Sequence, residues 1–168
     1  MVQNIMMKGN PLTLAGVLPE VGQECPDCTL VGNDLSPIKL SDYAGKICII
    51  TSVPSLDTGV CDTMTRKFNE EAVNFGDSIT VLTVSMDLPF AQKRWCGAAG
   101  IKNVVTLSDH RNGEFGEKFG VLIKELRLLA RAVFIVDKKS KIRYKQLVPE
   151  QTNEPDYGEV IKAVKDLL

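Results

Sequence analysis

Apolar side chains follow two different periods along the chain, and the alternation of these periods predicts strands and helices in turn. Ile47 to Val53 and Ser78 to Ser85 are runs of mostly apolar and β-branched residues, typical of strands buried on both faces of a sheet. Between them, from Gly59 to Phe75, apolar residues recur at spacings of three and four, which predicts a helix with one buried face. Pro89 suits the start of a second helix, and Gly97 suits its end.

Shorter segments surround this central part of the chain. Those with strand character are residues 3–7, 12–16, 28–31, 38–40, 104–107, 130–136 and 142–148. The first two enclose the turn Gly9-Asn10 and the last two enclose a polar turn, so each of these pairs is predicted to form a hairpin. Glu114 to Phe119 predicts a short helix, and Glu159 to Leu168 predicts a final amphipathic helix with Pro155 at its first position.

The order of these elements indicates the fold class. Strands alternate with helices and are followed by a hairpin and a last helix, which is typical of an α/β sandwich of the thioredoxin type. Residues 1–17 add an N-terminal β-hairpin extension to it. The chain has 168 residues, of which 44% are apolar, and neither an internal repeat nor a linker interrupts it. We therefore expect one domain over residues 1–168.

Charge and hydropathy exclude several classes of protein. The 20 basic and 21 acidic residues give a net charge of −1, so there is no basic surplus of the kind that nucleic-acid binders carry. The apolar runs are too short to cross a bilayer, and residues 1–10 lack the charged start and apolar stretch of a signal peptide. The sequence predicts a cytoplasmic protein with neither a nucleic acid nor a membrane as partner.

Five cysteines carry the candidate chemistry, and their odd number in a chain of this length argues against a secreted disulfide framework. Cys61 lies in the first turn of the predicted helix, where unpaired backbone N–H groups and the helix dipole favour a thiolate. Thr58 precedes it by three residues and can share its face, and Pro54 can wall a pocket without donating a hydrogen bond. From position alone, a small core residue beside Met64 and Phe68 is an equal alternative for Cys61.

The segment Pro54-Ser55-Leu56-Asp57-Thr58-Gly59-Val60-Cys61 matches the Pro-x-x-x-Thr-x-x-Cys motif of the peroxiredoxins. Further segments resemble the bacterial thiol peroxidase subfamily: Arg66 to Asn69, Asp87 to Gln92, Arg94 to Gly97 and Glu154 to Tyr157. The resemblance covers nearly the whole chain, from Gly9 to the last helix.

The resemblance implies a role for each residue of the motif. Cys61 is then the peroxidatic cysteine, Thr58 a hydrogen-bond partner of the peroxide and Pro54 the shield of the pocket. Cys96 takes the position of the resolving cysteine, whereas without the resemblance a structural thiol under Trp95 is favoured. Two sulfurs on different helices bridge only when their Cα atoms come within about 7 Å, so we expect local unwinding during the cycle.

The implied activity is the reduction of hydrogen peroxide and organic hydroperoxides without a cofactor or a metal. Cys61 becomes a sulfenic acid, Cys96 condenses with it to an intramolecular disulfide, and thioredoxin restores both thiols. The resemblance also implies a homodimer. Two alternatives remain open: a thiol–disulfide oxidoreductase that uses Cys25 and Cys28, and a redox sensor that passes its disulfide to a partner protein.

Arg131 lies in the otherwise apolar segment 130–136, where a guanidinium is costly to desolvate unless an anion meets it. One interpretation is an arginine at a strand end that reaches water. The other, which the resemblance supports, places Arg131 beside Cys61, where it stabilises the thiolate and polarises the peroxide. Arg127, in the less regular approach to the strand, is a second candidate for this role.

The other cysteines and the single histidine have more ordinary interpretations. Cys25 and Cys28 follow a turn and lead into a strand, so plain thiols, a peripheral disulfide and a metal site all remain open for this pair. Zinc normally takes four ligands, and no second such pair completes a set. Cys48 is predicted to pack inside its strand, and His110 to be a solvated residue of a polar turn.

Overall fold

The structure is a computed structural model that describes residues 4–168. Residues 1–3 lie outside the described residues. They include Gln3 of the first predicted strand and the start of the segment 1–10, which is predicted not to be a signal peptide. The strands are β1 Asn4–Met7, β2 Asn10–Ala15, β3 Thr29–Val31, β4 Pro37–Lys39, β5 Ile47–Ser52, β6 Ile79–Ser85, β7 Val104–Ser108, β8 Leu122–Ile123, β9 Leu128–Leu129, β10 Ala132–Val136 and β11 Ile142–Leu147. The α-helices are α1 Gly59–Phe75, α2 Pro89–Ala99, α3 Glu114–Lys118 and α4 Tyr157–Lys165, and short 3-10 helices cover Leu40–Tyr43 and Gly76–Ser78.

A seven-stranded sheet forms the centre of the molecule, in the order β11-β10-β5-β6-β7-β3-β4. Strands β5, β6 and β7 are parallel, and β10 pairs antiparallel with β5 on the other side. Every residue of β5 is buried, as expected for a strand with neighbours on both sides and layers on both faces. The carboxyl ends of the three parallel strands meet at one edge, and the loops that follow them lie close together there.

The two faces of this sheet support different layers. Ile47 and Ile49 of β5 point to a core that is shared with α1, α2 and α4, whereas Cys48 and Ile50 point to the opposite core. That opposite core is covered by α3 and by a small sheet of order β1-β2-β8-β9. This arrangement confirms the predicted α/β sandwich, and β1 and β2 form the predicted N-terminal hairpin.

Most element boundaries shift by one or two residues from the sequence prediction, and three of the differences concern residues with a predicted role. Helix α2 continues through Gly97 to Ala99 and is closed by Gly100, whose φ of 69° is in the left-handed region that favours glycine. Helix α4 begins at Tyr157 because the side chain of Asp156 caps it, so the assignment of Pro155 to the first helical position is wrong. Strand β10 begins one residue after Arg131, which therefore lies at the entry to the strand and not inside it.

Among the described residues, no helix is long and apolar enough to span a membrane.

Candidate active site

The turn that connects β5 to α1 positions Cys61. Pro54 is buried and follows the end of the strand, and Thr58 takes the N-cap position of α1 in an extended conformation. The hydroxyl oxygen of Thr58 accepts a hydrogen bond of 3.4 Å from the backbone N–H of Cys61. Cys61 itself is 0% exposed and is the third residue of the helix, so the structure brings the predicted Thr58 and Cys61 together.

The Thr58 hydroxyl also has a donor role in this state. It donates to the backbone oxygen of Ser55 at 3.1 Å, while the Thr58 residue remains exposed to solvent. The single hydroxyl proton must leave the Ser55 oxygen before Thr58 can donate to a bound peroxide. Rotation of this hydroxyl is a small change, because the Thr58 oxygen stays at the N-terminus of α1 and only its proton moves.

Asp87 holds the same loop from the neighbouring strand. Its carboxylate accepts hydrogen bonds from the Ser55 hydroxyl at 2.7 Å, from the Leu56 backbone N–H at 2.9 Å and from the Ser85 hydroxyl at 2.7 Å. In the sequence Asp87 stands out only as part of a motif, which does not reveal that it holds this loop. Its position directly after a buried parallel strand was the available signal, because the loops after such strands lie at one edge of the sheet.

Arg131 is the unusual charge of the site, since it is only 2% exposed. Its Nε and Nη2 atoms donate to the backbone oxygen of Gln151 at 3.1 and 2.9 Å, and Nη1 lies 3.6 Å from the sulfur of Met64. Met64 is one helical turn after Cys61. Within residues 4–168, Arg131 forms no ion pair. The side chain therefore keeps a desolvated positive charge against Met64, one turn of α1 after Cys61, and it does not reach water.

Gln151 is the support of this arginine, and the sequence analysis did not identify it. Its side-chain oxygen accepts from the backbone N–H of Arg131, and its Nε2 donates to the backbone oxygen of Val148 at 2.7 Å. Gln151 is itself buried. A glutamine 20 residues further along the chain gives no local pattern that would reveal this contact.

Cys96, the predicted resolving cysteine, lies on α2 and packs against the same core as Cys61. Its sulfur is half-buried and lies 3.6 Å from the Thr106 hydroxyl oxygen of β7. Burial raises the pKa of the Cys96 thiol, and the contact with Thr106 opposes this increase. Both Cys61 and Cys96 are free thiols, so the structure corresponds to the reduced protein.

The remaining cysteines belong to the other face of the sheet. Cys25 and Cys28 are free thiols in irregular chain before β3, and they pack with Cys48 in the core opposite to Cys61. Burial raises the pKa of Cys25 to about 12 and that of Cys48 to about 11. Burial also raises the pKa of Cys28. No cluster of three or more potential ligands for a metal ion occurs within residues 4–168.

The other two candidates of the sequence analysis lie elsewhere. Arg127 is exposed in the turn between β8 and β9, with a φ of 54°. His110 follows β7, and its backbone N–H donates to the Ser108 hydroxyl oxygen at 3.3 Å. In the described part of the chain, no hydrogen bond joins either residue to Cys61.

Known proteins are similar to this chain over nearly its whole length. The protein-family model described as Redoxin matches residues 20–161. The thiol peroxidases of Halalkalibacterium halodurans and Bacillus subtilis are each 55% identical to the chain, and the alignments cover 98% of it and 99% and 98% of the two relatives. The crystal structure of a peroxiredoxin-like protein from Aquifex aeolicus superposes on this structure with a TM-score of 0.93. The two sequences are 46% identical, and the match covers 100% of this chain and 99% of that one. The chain belongs to the redoxin family, and within it to the thiol peroxidases.

Proposed function

We propose that the chain is a thiol-dependent peroxidase in which Cys61 reacts with the peroxide and Cys96 resolves the product. The observation that carries this proposal is the desolvated Arg131 guanidinium, which contacts Met64 of α1 and forms no ion pair with any residue that the structure describes. A buried cation without a counter-ion stabilises any negative charge that forms beside it. A thiolate at Cys61 and the alkoxide leaving group of a peroxide are such charges.

The first step follows from this electrostatic arrangement. The Cys61 thiolate attacks the terminal oxygen of the hydroperoxide, the O–O bond breaks, and the leaving oxygen takes a proton to become water or an alcohol. Cys61 is then a sulfenic acid. Arg131 and the Thr58 hydroxyl are proposed to stabilise the charge that moves onto oxygen, and Pro54 is proposed to limit access of water to the sulfur.

The second step restores a stable oxidation state. The Cys96 sulfur attacks the Cys61 sulfur, a disulfide forms, and the sulfenic oxygen leaves as water. An external dithiol then reduces this disulfide by exchange and is itself oxidised. As the similarity to bacterial thiol peroxidases implies, we propose that the dithiol is thioredoxin, that the enzyme is a homodimer and that it acts in the cytoplasm on hydrogen peroxide and organic hydroperoxides.

Steady-state peroxide consumption with thioredoxin, its reductase and NADPH tests the assignment. Cys61→Ser should abolish turnover, because an alcohol offers no accessible anion near neutral pH. Cys96→Ser should react rapidly with one equivalent of peroxide and then stop, because only the resolving step is lost. Cys25→Ser is the matched control, since it removes a thiol from the opposite core and should leave the rate unchanged.

The same experiment separates the alternatives. A Cys96→Ser chain that cycles at the unaltered rate would remove Cys96 from the mechanism. Activity that depends on Cys25 but survives Cys61→Ser would indicate a thiol–disulfide oxidoreductase, although the raised pKa of Cys25 disfavours this use of the pair. Consumption of one equivalent of peroxide without turnover, even with thioredoxin present, would indicate a sensor.

A further inference from the structure

A set of side chains joins α1 to the carboxyl-terminal end of α2, outside the groups that touch the peroxide. The Nε1 of Trp95 donates to one carboxylate oxygen of Asp62 at 2.9 Å, and the Nε of Arg66 donates to the other at 2.9 Å. Arg66 also donates through Nη1 to the backbone oxygen of Ala99 at 3.2 Å, and its guanidinium lies 5.9 Å from the centre of the Trp95 ring. We call Asp62, Arg66 and Trp95 the interhelix latch.

The latch is placed beside both reacting sulfurs. Asp62 directly follows Cys61 on α1, and Trp95 directly precedes Cys96 on α2. The second half of α2 is held less firmly than the first. Its side chains Trp95, Cys96 and Ala99 are only partly buried against the core, whereas the fully buried side chains of the helix, Pro89 and Gln92, lie in the first half. Gly97 also weakens the helix from within. The latch contacts are therefore the principal polar attachment of the part of α2 that carries Cys96.

Cys96 must leave this position in order to react. In the helix its sulfur faces Thr106 of β7, and burial raises the pKa of the thiol there. Opening of the last turns of α2 would bring the sulfur toward Cys61 and expose it to water, where the thiolate forms more readily. The same opening separates Trp95 from Asp62 and Ala99 from Arg66, because these residues flank Cys96.

We propose that the residues of the interhelix latch are positioning residues that keep α2 folded while the peroxide reacts, and that release of the latch limits the rate of disulfide formation. This inference rests on the proposed function, in which Cys61 is oxidised first and Cys96 resolves it. In the resolving step the S–S bond forms, the S–O bond of the sulfenic acid breaks, and water leaves with the thiol proton. A tight latch prolongs the life of the sulfenic acid and leaves it open to a second peroxide, which oxidises it to sulfinic acid with release of water or alcohol.

Two variants test the latch from opposite sides, and neither changes Asp62, whose charge lies next to Cys61. Trp95→Phe removes the indole N–H but keeps an aromatic ring, and Arg66→Gln removes the contacts to Asp62 and Ala99. Lys118→Gln on α3 is the matched control. Lys118 also binds a carboxylate four residues earlier and a backbone oxygen of another segment, and it is 47% exposed, as is Arg66.

The reduced chain is mixed with one equivalent of hydrogen peroxide, quenched between milliseconds and seconds with acid, and analysed by intact mass for sulfenic acid and disulfide. We expect the Cys61–Cys96 disulfide to form about fivefold faster in Trp95→Phe than in the unaltered chain, which is the effect of one lost hydrogen bond, and at least as much faster in Arg66→Gln, which loses two. The decay of free thiol in the same traces gives the rate of the first step as the internal reference. At excess peroxide, the sulfinic fraction should fall in both variants and stay unchanged in Lys118→Gln.

The outcomes are distinct. Disulfide formation that is unchanged or slower in both latch variants overturns the latch, since the contacts would then be neutral or would help the resolving step. An equal acceleration in Lys118→Gln also overturns it, because the effect would be a general loosening of the fold. Absence of a Cys61–Cys96 disulfide in the unaltered chain overturns the proposed function itself, and the latch with it.

Discussion

Replacement of Arg131 by methionine should separate activity from stability. The guanidinium is buried, and its hydrogen bonds reach one backbone oxygen, that of Gln151. Replacement of a buried ion pair by apolar side chains is often neutral or stabilises a protein by about 1–4 kcal/mol, and removal of a lone buried charge should act in the same direction because it also ends a desolvation cost. Loss of both donors leaves the buried Gln151 oxygen unpaired, which costs about 1–3 kcal/mol. The two effects nearly cancel, so the free energy of unfolding of Arg131→Met should change by less than about 2 kcal/mol.

Activity should not be preserved in the same variant. A preorganised donor that meets developing charge typically contributes about 10²–10³ in rate, so we expect the reaction of Cys61 with peroxide to slow by roughly that factor. Alkylation of Cys61 by iodoacetamide at pH 7 should slow as well, because the guanidinium no longer stabilises negative charge on the attacking sulfur. Arg131→Lys keeps the charge but loses the planar fork, and its rates should lie between those of the unaltered chain and Arg131→Met.

The assays are urea unfolding followed by tryptophan fluorescence, stopped-flow oxidation by hydrogen peroxide, and alkylation followed by mass spectrometry. A folded Arg131→Met chain with unaltered peroxide and alkylation rates would refute the electrostatic role. A chain that loses more than about 4 kcal/mol and fails to fold would show instead that Arg131 is chiefly structural.

Three further predictions concern other parts of the molecule. Burial raises the pKa of Asp109 to about 6. Its ionisation in the folded state therefore lowers the free energy of unfolding by about 3 kcal/mol as the pH rises from 4 to 6. Asp109→Asn should remove this part of the pH dependence in urea unfolding. Thr58→Val should cost about 1 kcal/mol of stability through the lost N-cap and slow stopped-flow peroxide reduction about a hundredfold, whereas Thr58→Ser should retain both. Oxidation by one equivalent of peroxide should shift the emission of Trp95 as its contact with Asp62 breaks, and the shift should be absent in Cys96→Ser.

The sequence predicted the central layers well, because local periodicity determines them. The helix from Gly59 to Phe75 and the buried strand before it agree with the structure, since apolar spacing reflects burial directly. Strands β8 and β9 were missed, because two-residue strands leave no periodic pattern.

Contacts between distant segments were beyond the reach of such patterns. The cap of Cys61 by Thr58 is local and follows from their spacing. Asp87 reaches the Ser55 loop across more than 30 residues, and Gln151 reaches Arg131 across 20. The position of Asp87 after a buried strand places it at the edge of the sheet where such loops lie, but the sequence alone does not give the strand order that brings it beside Ser55.

The cysteines on the two faces of the central sheet should differ in their reactivity. Burial raises the pKa of Cys25 to about 12 and that of Cys48 to about 11, so both thiols stay protonated at pH 7. Electrophiles that require a thiolate should therefore leave these sulfurs unmodified in the folded protein. Their alkylation would report unfolding, since loss of burial returns them to ordinary reactivity. Alkylation of the cysteines on the α1 face therefore reports the reactivity of the site, and alkylation of the cysteines on the opposite face reports whether the chain is folded. Both can be measured on one sample.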